Sequence, residues 1–484
     1  MPRADILIRA AQLYDGQGGA PVPGDLAVES GRIAAVGDLA GWTAAEEIRA
    51  DGLALAPGFI DVHTHDDRAV LDGDMAPKIS QGVTSVVVGN CGVSLAPLVL
   101  TGAPPPPLDL LGGQADYRFA RFADYVAAFE AAGSATNVAA LVGHSTLRIA
   151  TMDRLDRPAA AAEISAMKTR LSEGLEAGAI GLSTGLDYAP AKAAPTEEIQ
   201  ALASLLAPAG ALHTTHMRNE HDEIIGAMDE AFAIGRSAAV PVVISHFKVS
   251  GRENHGRSPE TLAHYARQAG RQPLGLDAYP YAASSTVLRP EYLVGAERVL
   301  VTWSKSHPDQ AGREIDAIAA DWGLSREATA QRLQPAGAVY FSMDEADVRR
   351  ILAFEQTMIG SDGLPHDSHP HPRLWGAFPR VLGHYAREQK LFTLEEAVRR
   401  MTGLPAQRFG FIDRGRLAEG AHADLVLFDP ATVKDRATFA DPKQPAAGIA
   451  TVFVNGRAVW REGQPTGARP GRVLKRGADL RPTA

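Results

Sequence analysis

The stretch Gly58-Phe59-Ile60-Asp61-Val62-His63-Thr64-His65-Asp66 opens the central part of the chain. Phe59 to Val62 is a short apolar run that reads as a strand. Residues two apart in an extended segment point to the same side. His63 and His65 therefore offer two imidazoles to one ion. A His-x-His pair taken alone fits two polar loop histidines equally well, so its reading depends on the polar residues at the other strand ends of the chain.

The pattern recurs. Strand signals follow at Thr84 to Gly89, Val138 to Val142, Ala179 to Leu182, Ala211 to Thr214, Val240 to Ile244, Leu274 to Ala278 and Thr357 to Gly360. Helical patterns rich in Ala, Leu and Glu fill most gaps, as at Ala160 to Ala177, Thr196 to Ala207, Glu220 to Ala233 and Pro259 to Ala269. Ser258 before Pro259 reads as an N-cap and first-turn pair. Eight strands alternating with helices over about 300 residues predict an α/β fold, a (β/α)8 TIM-like barrel across residues 58–409. The rhythm breaks over 286–345. That span predicts a small insertion after barrel strand seven, made of short helices and loops. Pro104 to Pro107 reads as a stiff extended loop.

The two ends have a different style. Asp5 to Leu13, Leu26 to Glu29 and Arg32 to Val36 are short strand-like runs, and so are Asp424 to Phe428 and Ile449 to Val454. Asn455-Gly456 is a hairpin-turn signal before Ala458 to Trp460. These runs predict one small β-sandwich domain built from residues 1–57 and 410–484.

Composition narrows the function classes. Across 484 residues, 48 Lys and Arg face 57 Asp and Glu, a formal net charge of −9. That balance gives no support to nucleic-acid binding. The N-terminal apolar run is too short for a signal-peptide core, and no stretch is apolar enough to span a bilayer. No membrane role is expected, and a cytoplasmic location is the default. The single Cys excludes an intrachain disulfide and makes its position informative.

That Cys is Cys91, at the end of the second strand. Strand five ends at His216, strand six at His246 and strand eight at Asp362. In a barrel the C-terminal strand ends surround one pocket. Imidazoles, a thiolate and a carboxylate suit zinc, with one tight site and room for a weaker second one.

These residues sit in segments that resemble the amidohydrolase superfamily, and within it the N-acyl-D-amino-acid deacylases, or D-aminoacylases. The segments are Gly58 to His65, Gly89-Asn90-Cys91-Gly92, Thr215-His216-Met217-Arg218 and Ser245-His246-Phe247-Lys248. Asp277-Ala278-Tyr279-Pro280-Tyr281, Ser361-Asp362-Gly363 and His371-Pro372-Arg373 complete them. The resemblance implies zinc-dependent hydrolysis of N-acyl-D-amino acids to a carboxylate and a free D-amino acid. It implies a tight zinc on Cys91, His216 and His246, and a weaker position on His63, His65 and Asp362. Asp362 is implied as the general base. Arg373 and Lys248 are implied as holders of the substrate α-carboxylate. Tyr188, Tyr279 and Ser285 are further substrate-binding candidates. Arg289 favours an acidic substrate side chain if it points inward, and solvates a loop if it points outward. A broad or hydrophobic preference ranks ahead of an acidic one. The partner expected is a small N-acyl-D-amino acid, and the protein is expected as a monomer or small homo-oligomer.

Many relatives bridge two metals with a carboxylated lysine from strand four, where this chain has Leu182-Ser183-Thr184-Gly185. Two rival readings remain. One is another amidohydrolase acting on a dipeptide or cyclic amide. The other is a non-catalytic metal-binding scaffold of the same fold.

Overall fold

The computed structural model describes residues 2–482. Met1, Thr483 and Ala484, at the outer ends of the expected terminal β unit, lie outside the described residues. The fold is mixed α/β. Eight central strand positions are β1 (Phe59–Asp61), β2 (Val83–Val88), β3 (Asn137–Ala140), β4 (Gly181–Gly185), β5 (Leu212–His216), β6 (Val242–Ile244), β7 (Leu274–Ala278) and β8 (Thr357–Ile359).

Pairing among them is parallel throughout. β1, β2 and β3 form one sheet. β3 continues one residue later as Val142–Gly143, which pairs with β4 and begins a second sheet running to β8. A parallel bridge between Thr64 and Gly363 ties the end of β1 to the end of β8. The pairing thus returns to its starting strand.

The strands read as apolar runs because both faces are covered, as parallel sheets require. In Val83–Val88 every residue is buried. Ile60, Val87, Ala139, Leu212, Val243 and Met358 join one inner core cluster, closed at one end by Phe409, Phe411, Leu474 and Leu480. Their chain neighbours Phe59, Val86, Val138, Val242 and Ile359 join the outer cluster with the helices. This is the period-two alternation of a strand.

Two helix starts differ from expectation. Ser258 is the first residue of the helix Ser258–Ala269 rather than its cap. The cap comes from Asp347, whose carboxylate accepts the Ser258 N–H at 3.1 Å and the Gly256 N–H at 2.6 Å. The helix expected from Glu220 begins at Ile224, because Glu220 is drawn toward the side chains of His246 and Lys248.

The span after β7 also differs from short helices and loops. It holds an antiparallel sheet of Ser284–Val287, Arg298–Ser304 and Ala336–Phe341. Helices Ile315–Trp322 and Arg326–Leu333 pack on it around Val299, Val301, Ile318 and Tyr340. The run Val299-Leu300-Val301-Thr302-Trp303 is strand-forming in composition, which explains the sheet.

Strands from both chain ends share one nine-stranded sheet. The seam is the antiparallel pair of Ala54–Pro57 with Leu425–Phe428. Asn455 and Gly456 both have positive φ, at 47° and 77°, as a tight hairpin turn requires. Asn137 donates to Asp424 at 3.1 Å and accepts from Asn455 at 2.8 Å, which anchors this sheet to β3. Among the described residues, no helix is long and apolar enough to cross a membrane.

A buried ion pair behind β4 makes stability pH-dependent. Glu198 receives Arg148 and lies 3.0 Å from His144 Nε2. Burial opposes its charge, yet His144 and Arg148 bring its carboxyl down to about 2. An unfolded Glu titrates at about 4.3. The folded value is the lower one, so the stabilisation is complete above the unfolded value and disappears as pH falls toward the folded one. Glu198→Gln is expected to cost about 3 kcal/mol at neutral pH, with the difference from wild type shrinking below pH ~5. Denaturant unfolding of both proteins across that range checks this, and parallel stability curves would contradict it.

Candidate active site

The polar side chains gather where the parallel strands end. His63 and His65 follow β1, Cys91 follows β2, His216 closes β5, His246 follows β6 and Asp362 follows β8. Cys91, His246 and Asp362 have φ of 53°, 37° and 50°. Left-handed backbone at a non-glycine residue is uncommon and costs about 1–3 kcal/mol, and it clusters at functional sites. Gly92 permits the tight path after Cys91, since a Cβ there would fall 2.7 Å from the Gly185 nitrogen.

Cys91 is the hub. Its Sγ lies 3.2 Å from His63 Nε2 and 3.3 Å from His246 Nε2. His246 Nε2 lies 3.0 Å from His216 Nδ1. Asp362 Oδ1 lies 3.2 Å from His65 Nε2 and 3.5 Å from His63 Nε2. Two donor sets result, His63, His65, Cys91 and Asp362, and Cys91, His216 and His246. Within each set the ligand atoms lie within 4.8 Å of one another. Both sets are buried, and His65 Nδ1 and His216 Nε2 have no hydrogen-bond partner. Imidazole, thiolate and carboxylate donors converging in one buried cluster fit zinc.

The electrostatics agree. Burial alone would raise the Cys91 thiol, but the imidazoles of His63 and His246 hold it well below its usual range. Burial would likewise raise Asp362, but the Arg373 guanidinium and the neighbouring imidazoles hold its carboxyl well below the carboxylate range. Both groups are therefore anionic, as ligands must be.

Behind these residues lies a layer that the sequence reading missed. Glu220 Oε1 lies 3.0 Å from His246 Nδ1, and its Oε2 lies 2.6 Å from Lys248 Nζ. Asp277 accepts the His246 N–H at 2.9 Å and lies 3.4 Å from His63 Nδ1. Carboxylates in this position orient ligand imidazoles. Lys78 donates to Asp61 at 2.8 Å and to Ser361 at 2.6 Å, under the residue that precedes Asp362. Glu220 had a signal, four residues after His216. Asp61, a charge within an apolar strand, had another. Lys78 had none.

The cluster opens into a cavity of about 440 Å³ lined by Asp362, Lys248, Tyr188, Tyr279, Ser285 and Arg289. A larger open groove of about 780 Å³ lies among Arg32, His422 and Arg457, and it holds no residue of the cluster. Chemistry rather than size locates the site. Tyr279 OH and Ser285 Oγ are buried without hydrogen-bond partners, so both are free to meet a ligand. Tyr188 packs against His216 with ring centroids 4.8 Å apart and planes tilted by 54°, and its hydroxyl pairs with Thr286.

The three expected cations differ. Lys248 donates to Glu220 and to the His246 carbonyl, and its Nζ lies 2.9 Å from His246 Nδ1. Arg373 is fully buried and does not line the cavity. It sits 2.8 Å from Asp362 and 4.6 Å above the Tyr279 ring, with its Nε unpartnered. Arg289 lines the cavity but is tied to Asp187 at 2.6 Å and Glu291 at 2.8 Å. Strand β4 supplies no ligand, and Ser183 there accepts the Gly92 N–H.

Comparison with known proteins places the chain in a family. The amidohydrolase family profile matches residues 46–233 and 260–465. The chain is 54% identical over 475 residues to a D-aminoacylase of Alcaligenes xylosoxydans xylosoxydans, covering 98% of both chains. It is 53% identical to an N-acyl-D-aspartate deacylase of the same organism, over 98% of this chain and 96% of that one. A crystal structure of N-acyl-D-glutamate deacylase from Bordetella bronchiseptica superposes with a TM-score of 0.95 at 48% identity, over 98% of this chain and 100% of that one. That protein is complexed with zinc and a phosphonate inhibitor that mimics the tetrahedral intermediate of the reaction. The chain belongs to the amidohydrolase family and, within it, groups with the N-acyl-D-amino-acid deacylases.

Proposed function

We propose that this chain is a zinc-dependent N-acyl-D-amino-acid deacylase that releases a carboxylate and a free D-amino acid. The observation that carries the reading is the pair of donor sets sharing Cys91 at the base of the cavity. Cys91, His216 and His246 would hold the tight zinc, and His63, His65 and Asp362 the weaker position. Zinc bound there lowers the pKa of a water and polarises the acyl carbonyl.

The protein's own groups do the rest. Asp362 accepts a proton from the attacking water and returns one to the leaving nitrogen. Arg373, which has an unpartnered Nε beside the cavity-lining Asp362 and Tyr279, and Lys248, with its remaining donor, hold the α-carboxylate. Tyr279 and Ser285 add hydroxyl donors, and Tyr188 forms the wall against His216.

The architecture proposed around this site is a closed (β/α)8 barrel over residues 58–409. Support comes from the all-parallel pairing and the Thr64–Gly363 bridge. Residues 286–345 form its insertion. Residues 1–57 and 410–484 form a β-sandwich, with the shared sheet folded around Ile8, Leu26, Leu55 and Leu425. The proposed compartment is the cytoplasm, where a lone cysteine ligand stays reduced. The proposed state is a monomer or small homo-oligomer.

Two fixed anchors, the carboxylate and the acyl carbonyl, leave one acceptable direction for the side chain. Matched N-acetyl-D- and N-acetyl-L-amino acids assayed with zinc are therefore expected to differ at least ~100-fold in kcat/KM, in favour of D. Released amine is the readout. Equal turnover of the enantiomers would overturn the reading.

A further inference from the structure

We propose that Lys78 is a positioning residue for Asp362. From the helical turn before β2 it locks Ser361-Asp362-Gly363 onto the end of β1, and so fixes where the general base stands. The inference rests on the deacylase reading and adds to its machinery a residue remote from the substrate.

Lys78 is a charge with no evident chemical task. It belongs to neither donor set and does not line the cavity beside them. Its side chain, on the short helix Ala76–Ile79, is nonetheless fully buried. Burial strips an ammonium of its hydration, and lysine is found there only when paired. Nζ donates to Asp61 Oδ2 at 2.8 Å and to Ser361 Oγ at 2.6 Å, and lies 3.4 Å from Asp66 Oδ2. Charge balance with Asp61 and Asp66 does not call for the Ser361 hydroxyl. That contact crosses from the end of β1 to the turn after β8.

The turn carries the strained residue. Asp362 has φ of 50°, and a residue with a Cβ keeps such a conformation only where its surroundings over-determine it. Three N–H groups pin the turn. Ser361 donates to Asp61 Oδ1 at 2.9 Å, Asp362 to the His63 carbonyl at 2.8 Å and Gly363 to Ser361 Oγ at 3.2 Å. Two of these three acceptors, the Asp61 carboxylate and the Ser361 hydroxyl, are the groups that Lys78 holds. The ammonium therefore fixes the backbone on both sides of Asp362. Arg373 meets the Asp362 carboxylate itself, at 2.8 Å. The two cations divide the work, Arg373 orienting the carboxylate and Lys78 setting the backbone that carries it. A base displaced by about 1 Å from its proton loses rate, up to about 10²-fold.

The test is a double-mutant cycle on the zinc-loaded enzyme, with the N-acetyl-D-amino acid that the wild type turns over fastest. Ser361→Ala removes the hydroxyl but keeps the pair of Lys78 with Asp61, so folding is retained. It is expected to lower kcat at least ~10-fold, with KM and zinc content little changed. Lys78→Met is expected to lower kcat at least as far. Where it fails to fold, because Asp61 and Asp66 are left unpaired, Ser361→Ala decides alone. In the Asp362→Asn background, Ser361→Ala is expected to lower the residual kcat less than ~2-fold, because placement ceases to matter once the base is gone. A merely structural contact would cost the same factor in both backgrounds. Near-normal kcat in folded, zinc-loaded Ser361→Ala overturns the inference and leaves the deacylase reading intact. So does an equal loss in both backgrounds, or a loss that tracks zinc content. Turnover of no N-acyl-D-amino acid by the wild type overturns the deacylase reading, and this inference with it.

Discussion

Asp362→Asn is expected to lower kcat at least ~100-fold, with KM little changed and zinc retained on Cys91, His216 and His246. Asparagine keeps the size and one carbonyl oxygen, so the contacts to His63 and His65 can persist. It also tolerates the left-handed backbone at this position, where φ is 50°. What it lacks is a carboxylate to take the proton. That function operates only as bonds change, which places the loss in kcat. The substitution also removes the countercharge of Arg373, which keeps the Ser285 carbonyl at 3.0 Å and the Tyr279 face. A lowered melting temperature is expected for that reason, without unfolding. Kinetics, zinc content and melting are to be read on one preparation. Near-normal kcat would remove the general-base role, and loss of all zinc would assign the carboxylate a structural one.

Cys91→Ala is expected to weaken zinc binding at least ~100-fold and to reduce activity accordingly. Cys91 is the one residue common to both donor sets. Its thiolate is held ionised by His63 and His246 against the effect of burial, so alanine removes the sulfur and a charge together. Both residues carry a Cβ, so the left-handed backbone at φ 53° is no more strained in the variant. At the tight position alanine leaves only His216 and His246, two neutral ligands from different strands, because the Asp362 carboxylate belongs to the other donor set. Elemental analysis after dialysis against a weak chelator is the measurement. Full zinc in a well-folded Cys91→Ala protein would reject the assignment.

Much of the site was legible because its residues lie at strand ends. His63 and His65 follow an apolar run, and Cys91, His216, His246 and Asp362 each follow another. Substrate roles were less legible. Arg289 was open between two orientations, and its two carboxylate partners come from different loops, at Asp187 and Glu291. Arg373, expected at the substrate α-carboxylate, is buried against Asp362 and the Tyr279 ring, two residues that line the cavity. No spacing rule relates residue 373 to 279.

The sequence by itself determined the strand and helix alternation, the strand-rich ends and the identity of the cluster. These follow from periodicity and residue type, which are local. Only the tertiary structure decided what stands behind each functional group. Glu220 and Asp277 orient His246, and Lys78 supports Ser361 from 283 residues away in the chain. It also decided that Asp347 caps the helix at Ser258, from 89 residues away. Such contacts satisfy buried charges and N–H groups, and a buried polar group takes whichever partner the packing brings within reach. That choice depends on distance in space, which residue type and local spacing do not encode.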